Sequence, residues 1–96
     1  MSLDEGRRLW AEHMSAPFPP RLRGVDIEGV EMVLLDADIA GCVITWLESG
    51  GRLDERRRAW LQRSLDDLDR ILPRLEDAEE HAYYERLRSV ALLALD

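Results

Sequence analysis

Residues 29–51, GVEMVLLDADIAGCVITWLESGG, form the longest apolar run in the chain, and a double glycine closes it. Val30, Val33, Leu34, Ala37, Ala40, Gly41, Ile44 and Leu47 recur at intervals of three and four, which is helical spacing. Leu35, Ile39, Val43 and Trp46 fill other faces of the same helix. A helix that is apolar most of the way round belongs in the middle of a bundle. Gly41 lowers helix propensity by about 1 kcal/mol, so its presence predicts a close approach of a neighbouring helix. Gly50 and Gly51 supply the left-handed turn that ends such a helix.

The other segments read as cover for this one. Residues 3–15 predict a first short helix, with Leu3, Trp10 and Met14 on one face and Asp4 at the positive end of its dipole. Residues 16–28 form a proline-rich connector. Three prolines in APFPPRLRG exclude a regular helix there and favour extended geometry, with Phe18 and Leu22 pinning the segment to the core. A stiff connector is preferred over a proline-rich docking ligand, because one such loop inside a small domain is ordinary. Val25 and Ile27 alternate with Asp26 and Glu28. With no second strand to pair with, that segment reads as an extended lead-in or as the first turn of the central helix.

Residues 53–75 predict a surface helix. Its N-cap is Asp54, and its inner stripe is Leu53, Trp60, Leu61, Leu65, Leu68, Ile71, Leu72 and Leu75. Pro73 ends or kinks it near Leu72. Residues 77–95 predict the last helix, opened by a capping-box pattern of Asp77 and Glu80. Its inner stripe is Ala82, Tyr83, Leu87, Val90, Ala91 and Ala94, with one of Tyr83 and Tyr84 in the core and the other exposed. Its end, VALLAL, is apolar on all sides, which is more than a small core needs and points to a partner. Short connections make the three long helices antiparallel neighbours. The expected fold is all-α: one domain spanning residues 1–96, a small helical bundle of three long helices plus a short N-terminal helix. At 96 residues a chain buries roughly 60–70% of its unfolded surface, enough for one core.

Charge narrows the function classes. The 20 acidic and 13 basic residues give a net charge of −7, which disfavours nucleic acid and anionic membrane surfaces as partners. Every basic residue is arginine; lysine and asparagine are both missing. Glu31, Asp36, Asp38 and Glu48 interrupt the best candidate for a membrane span. The opening MSLDEGRRLW has no signal-peptide core, and the single Cys42 forms no internal disulfide. A cytoplasmic location is expected.

Chemistry-bearing residues are few. Asp36 and Asp38 lie in the most apolar helix, where an unpaired carboxylate is costly. Two positions apart they diverge by about 200°, so they form no acid–base pair. One of them facing a cleft is the functional reading; an ion pair with an arginine of the last two helices, or a solvent-facing edge, is the simpler one. Arg52, Arg56, Arg57 and Arg58 gather at a helix N-terminus, where they and the free amides could hold an anion. A solvated cluster balanced by Glu48, Asp54 and Glu55 is the simpler reading of this patch. Asp77, His81 and Glu85 share a face of the last helix, but no metal-binding spacing accompanies them, and an exposed polar face is preferred. Trp10, Trp46 and Trp60 read as core residues with the indole N–H at the rim. Cys42, in apolar surroundings, reads as inert. No catalytic residue, metal site or cofactor is assigned.

At FPPRLRG, LLDADIAGCV, GGRLDERR and YYERLR the chain resembles a group of small helical proteins from high-GC actinobacteria, over about residues 18–95. The resemblance implies a self-contained helical fold and carries over no functional residue. The functional expectation is a small cytoplasmic interaction module without catalysis of its own. Its partner is a second copy bound through the C-terminal helix, or an unidentified protein. The alternatives are a ligand- or anion-binding domain or enzyme using Asp36 or Asp38 in a cleft with the Arg52–Arg58 patch, and a helical regulator contacting nucleic acid.

Overall fold

The computed structural model describes residues 2–96. The chain runs through α1 (Ser2–Met14), a 3-10 turn (Pro20–Leu22), β1 (Asp26–Ile27), β2 (Val30–Glu31), α2 (Met32–Glu48), α3 (Glu55–Ile71), a second 3-10 turn (Leu72–Arg74) and α4 (Ala78–Leu95). This is the expected all-α bundle. The N-terminal helix has 13 residues, against 17, 17 and 18 in the other three. The helices α2, α3 and α4 pack pairwise, and α1 lies mainly along α4.

Local chemistry sets the helix ends. The Asp54 side chain accepts from the amide of Arg57 and opens α3, and Asp77 accepts from the amides of Glu79 and Glu80 and opens α4. Both caps were legible as acidic residues before an apolar-periodic run. The reciprocal half of the capping box is missing, because Glu80 turns away to pair with Arg21. Gly50 and Gly51 have φ of 73° and 95°, and the Gly51 amide donates to the Trp46 carbonyl at 2.8 Å, closing α2 as expected. Pro73 lies in the 3-10 turn that follows α3, so the regular helix stops at Ile71.

The segment before α2 departs from expectation. A partner strand exists: Asp26 pairs with Glu31 and Ile27 with Val30 in a minimal antiparallel hairpin. Its two turn residues, Glu28 and Gly29, both have positive φ, 53° and 80°, as a type I′ turn requires. The second strand is taken from the start of the predicted helix. The helix therefore begins at Met32, where the Glu31 side chain accepts from the amides of Val33 and Leu34.

The facing of α2 also departs from expectation. Met32, Leu35, Ile39, Cys42, Val43 and Trp46 are buried, whereas Leu34 and Ile44 are 60% and 40% exposed and Ala37 and Gly41 lie open to solvent. Two overlapping stripes on this helix are apolar, and the bulkier one turns inward because it removes more surface from water. Gly41 is correspondingly no contact point: a Cβ added there meets nothing within 4 Å. The close approach is at Gly6 of α1, where an added Cβ would run into the ring of Trp46.

Three further side chains differ from the sequence expectation. His13, not Met14, completes the inner face of α1; Met14 is 57% exposed. Trp60 is 45% exposed rather than core, and Tyr83 and Tyr84 are both buried. The surplus of apolar surface expected on α4 is largely consumed inside the fold. Val90, Ala91 and Ala94 are buried, and Leu92 is the large exposed side chain of that run.

Candidate functional site

Asp36 points from α2 towards α1 and α4. The Tyr83 hydroxyl donates to its Oδ2 at 3.1 Å, and Nε2 of the fully buried His13 side chain lies 3.7 Å from its Oδ1. That separation is beyond hydrogen-bond range, and neither ring nitrogen of His13 has a hydrogen-bond partner among the described residues. The imidazole is held instead by aromatic neighbours. Tyr83 lies over it with ring centroids 4.4 Å apart, and Trp10 lies 5.6 Å away. Phe18, from the proline connector, meets Tyr83 edge-on at 5.5 Å. Burial, and then the neighbouring Asp36 carboxylate, push the Tyr83 phenol well above its usual range. Tyr84 is pushed up chiefly by burial, and its hydroxyl donates to the Met32 carbonyl at 2.7 Å.

Asp36 therefore bonds to a tyrosine and abuts a histidine, in place of the arginine pair or solvent-facing edge expected for it. The cluster ties α1, α2 and α4 together through one carboxylate. Helix periodicity could have exposed His13: Leu3, Gly6, Trp10 and His13 follow helical spacing along α1. The pairing with Asp36 joins distant parts of the chain and has no local signature.

Asp38 diverges from Asp36 as the helical angle requires. It lies on the α3 side of α2 and lines a shallow depression of about 320 Å³ with Arg57, Trp60 and the backbone around Gly41. With Arg63 and Trp60 it lines a second depression. The four arginines do not converge on one point, and only Arg56 and Arg57 share a depression. Arg57 pairs with Asp54, and the Arg58 guanidinium donates to the Leu95 carbonyl at the negative end of α4. Arg52 extends into solvent, and Arg56 lines a small depression with Arg57 and Trp60. Of the six candidates, the structure brings Asp38 and Arg57 to one depression and Arg56 and Arg57 to another, and sets Asp36 apart.

A separate groove of about 480 Å³ runs between the proline connector and the first half of α4, lined by Pro17, Pro19, Arg21, Glu80, Tyr83 and Arg86 among others. Arg21 Nε donates to the buried Glu80 carboxylate at 2.9 Å across it. On the same helix His81 lies 3.8 Å from Glu85, while Asp77 serves as a cap. Among the described residues no group of three His, Cys, Asp or Glu side chains is placed to hold a metal ion. Burial raises the Cys42 thiol above its ordinary range, which makes it a poor nucleophile. No helix among the described residues is long and apolar enough to cross a membrane.

The depressions beside Asp38 belong to a wider face. Leu34, Ala37, Gly41 and Ile44 of α2 are exposed along one stripe, and Trp60 of α3 stands beside them. No family model, curated protein or solved structure matches this chain.

Proposed function

We propose that this protein is a small interaction module, acting in the cytoplasm, with no catalysis of its own, and that it binds protein through the face shared by α2 and α3. One observation carries the reading: Leu34, Ile44 and Trp60 are 60%, 40% and 45% exposed on adjacent helices of a small domain. Large apolar side chains grouped on a rigid surface mark contact sites, and tryptophan is among the residues that dominate binding energy. The net charge of −7 argues for a protein partner over nucleic acid or an anionic membrane. A ligand-binding or catalytic use of Asp36 is the less supported reading, since Tyr83 engages one carboxylate oxygen and the buried His13 ring crowds the other.

The test is affinity capture from native extract with the immobilised chain, comparing Leu34→Asp and Trp60→Ala with Leu92→Asp on α4. The reading expects a protein retained by the parent and by Leu92→Asp but lost by the two α2–α3 variants, a second copy of the chain included. Equal capture by all four proteins would reject this face. Loss through Leu92→Asp alone would move the surface to the C-terminal helix.

A further inference from the structure

We infer that the occupant of the α2–α3 face is a second copy of this chain, related by a twofold axis that runs between the two helices and parallel to them. This rests on the interaction reading above and adds the partner and the geometry. Charge selects the partner. The charges that α2 brings to the face are acids only, Asp38 and Glu48, whereas α3 brings Arg56 and Arg63, with Asp66 at the edge of the depression that Asp38 and Arg63 share. Asp38, Glu48, Arg56 and Arg63 have no ion-pair partner among the described residues, unlike neighbouring Arg57 and Asp67. The helices are antiparallel neighbours, so the charges match in height. Asp38 and Arg63 line one depression, and Glu48 and Arg56 flank the turn that joins the helices.

A twofold axis along that seam lays α2 of each copy over α3 of the other. Asp38 then faces the second copy's Arg63, and Glu48 its Arg56, on both sides of the axis. An axis perpendicular to the helices would instead lay α2 on α2 and bring the acidic rows together, which is unfavourable. Shape agrees with charge. Trp60 is the protruding side chain of α3, and at its own height α2 offers Ala37, Gly41 and Thr45 around the depression of about 320 Å³. The open space over Gly41 leaves room for an incoming indole. A self-complementary patch of this kind, with the same residues donating and receiving, is what a closed twofold interface requires.

The experiment is sedimentation equilibrium of the full chain between about 1 µM and about 1 mM, a range that covers modest affinities. The parent is expected to pass from the 11.1 kDa of one chain to twice that mass. Trp60→Ala is expected to weaken the dimer by roughly tenfold or more, as loss of a central aromatic anchor does. Asp38→Arg and Arg63→Asp each place like charges opposite one another twice per dimer, so each alone is expected to be monomeric. Mixed in equal amounts they restore both opposite-charge contacts, and a heterodimer should form. All these side chains are exposed or half-exposed, and circular dichroism checks that each variant keeps its helices. A parent that stays monomeric throughout overturns the inference, as does a dimer that Trp60→Ala leaves intact or a mixture that fails to associate. A monomeric parent that still captures a different protein through Leu34 and Trp60 would sink the dimer and leave the interaction reading standing. A monomer that captures nothing would sink both.

Discussion

At the scale of single residues, two glycines on packed helices are expected to respond in opposite directions to the same methyl group. Gly6 of α1 lies against Trp46, and a Cβ there would stand 2.6 Å from Cη2 of the indole. The ring is buried and cannot swing away, so Gly6→Ala should cost about 1–3 kcal/mol, the usual range for overpacking. Gly41 of α2 is exposed, has helical backbone, and meets nothing within 4 Å. Gly41→Ala should stabilise the protein by about 0.5–1 kcal/mol through helix propensity. Urea unfolding of the two variants at about 1 µM, the dilute end of the range in which dimerisation is tested, checks both signs at once, and a loss of stability for Gly41→Ala there would mean that a helix of the same chain does approach it. The sequence pointed to the wrong one of the two. Gly41 stood out because it interrupts a long apolar helix, whereas Gly6 lay among charges in a segment with a weak pattern. Which glycine is a contact depends on how α1 crosses α2, and that angle is not encoded in the spacing of either helix. The candidate aspartates divide the same way. Their divergence followed from the geometry of one helix, but the partners of Asp36 came from two others, Tyr83 being 47 positions away.

At the scale of elements, the boundaries fixed by local chemistry were legible and the one requiring a competing element was not. Asp54, Asp77, Gly50, Gly51 and Pro73 act within a turn of their own position, and each ends or begins a helix where its chemistry says it should. The hairpin was hidden because Val30 and Glu31 fit a helical register equally well. What decides it is the turn. Glu28 and Gly29 take left-handed φ in succession, and only then can Ile27 reach Val30. The hairpin also sets where α2 starts, since Met32 donates to the Val25 carbonyl at 3.0 Å. Gly29→Ala is therefore predicted to destabilise the domain by about 1–2 kcal/mol, the cost of a left-handed L-residue. An added Cβ has open space at that position, so the effect is one of backbone conformation alone. Amide exchange of Met32 and Ile27 should accelerate more than that of the α3 core, which separates local opening of the hairpin from global unfolding. A variant as stable as the parent would show that the positive φ at this position carries no cost.

At the scale of the whole molecule, the buried aromatic cluster makes the fold sensitive to alkali, and the composition makes that sensitivity easy to read. Burial and Asp36 raise the Tyr83 phenol well above its ordinary value of 10.0, and burial raises Tyr84 likewise. The folded chain keeps both protons at a pH where the unfolded chain has released them. This contribution to stability is complete below about pH 10 and declines as pH rises from there towards the folded pKa values. The chain contains no lysine, its basic side chains are all arginine, and Tyr83 and Tyr84 are its two tyrosines. Almost nothing else titrates in that window except Cys42, whose thiol is also raised by burial and acts with the same sign. A Cys42→Ala background removes that overlap. In it, tyrosinate absorbance should appear together with the loss of helical circular dichroism, and the urea midpoint should fall with pH above about 10. Tyr83→Phe and Tyr84→Phe should each flatten that fall while lowering stability at neutral pH, because each gives up a hydroxyl hydrogen bond, to Asp36 or to the Met32 carbonyl worth about 0.5–1.5 kcal/mol. A tyrosinate transition with an ordinary midpoint in a chain that stays helical would contradict the buried arrangement. Ionisation of Tyr83 in the folded chain would loosen α1 and the connector from α4, because His13 and Phe18 pack against its ring and Trp10 packs against His13.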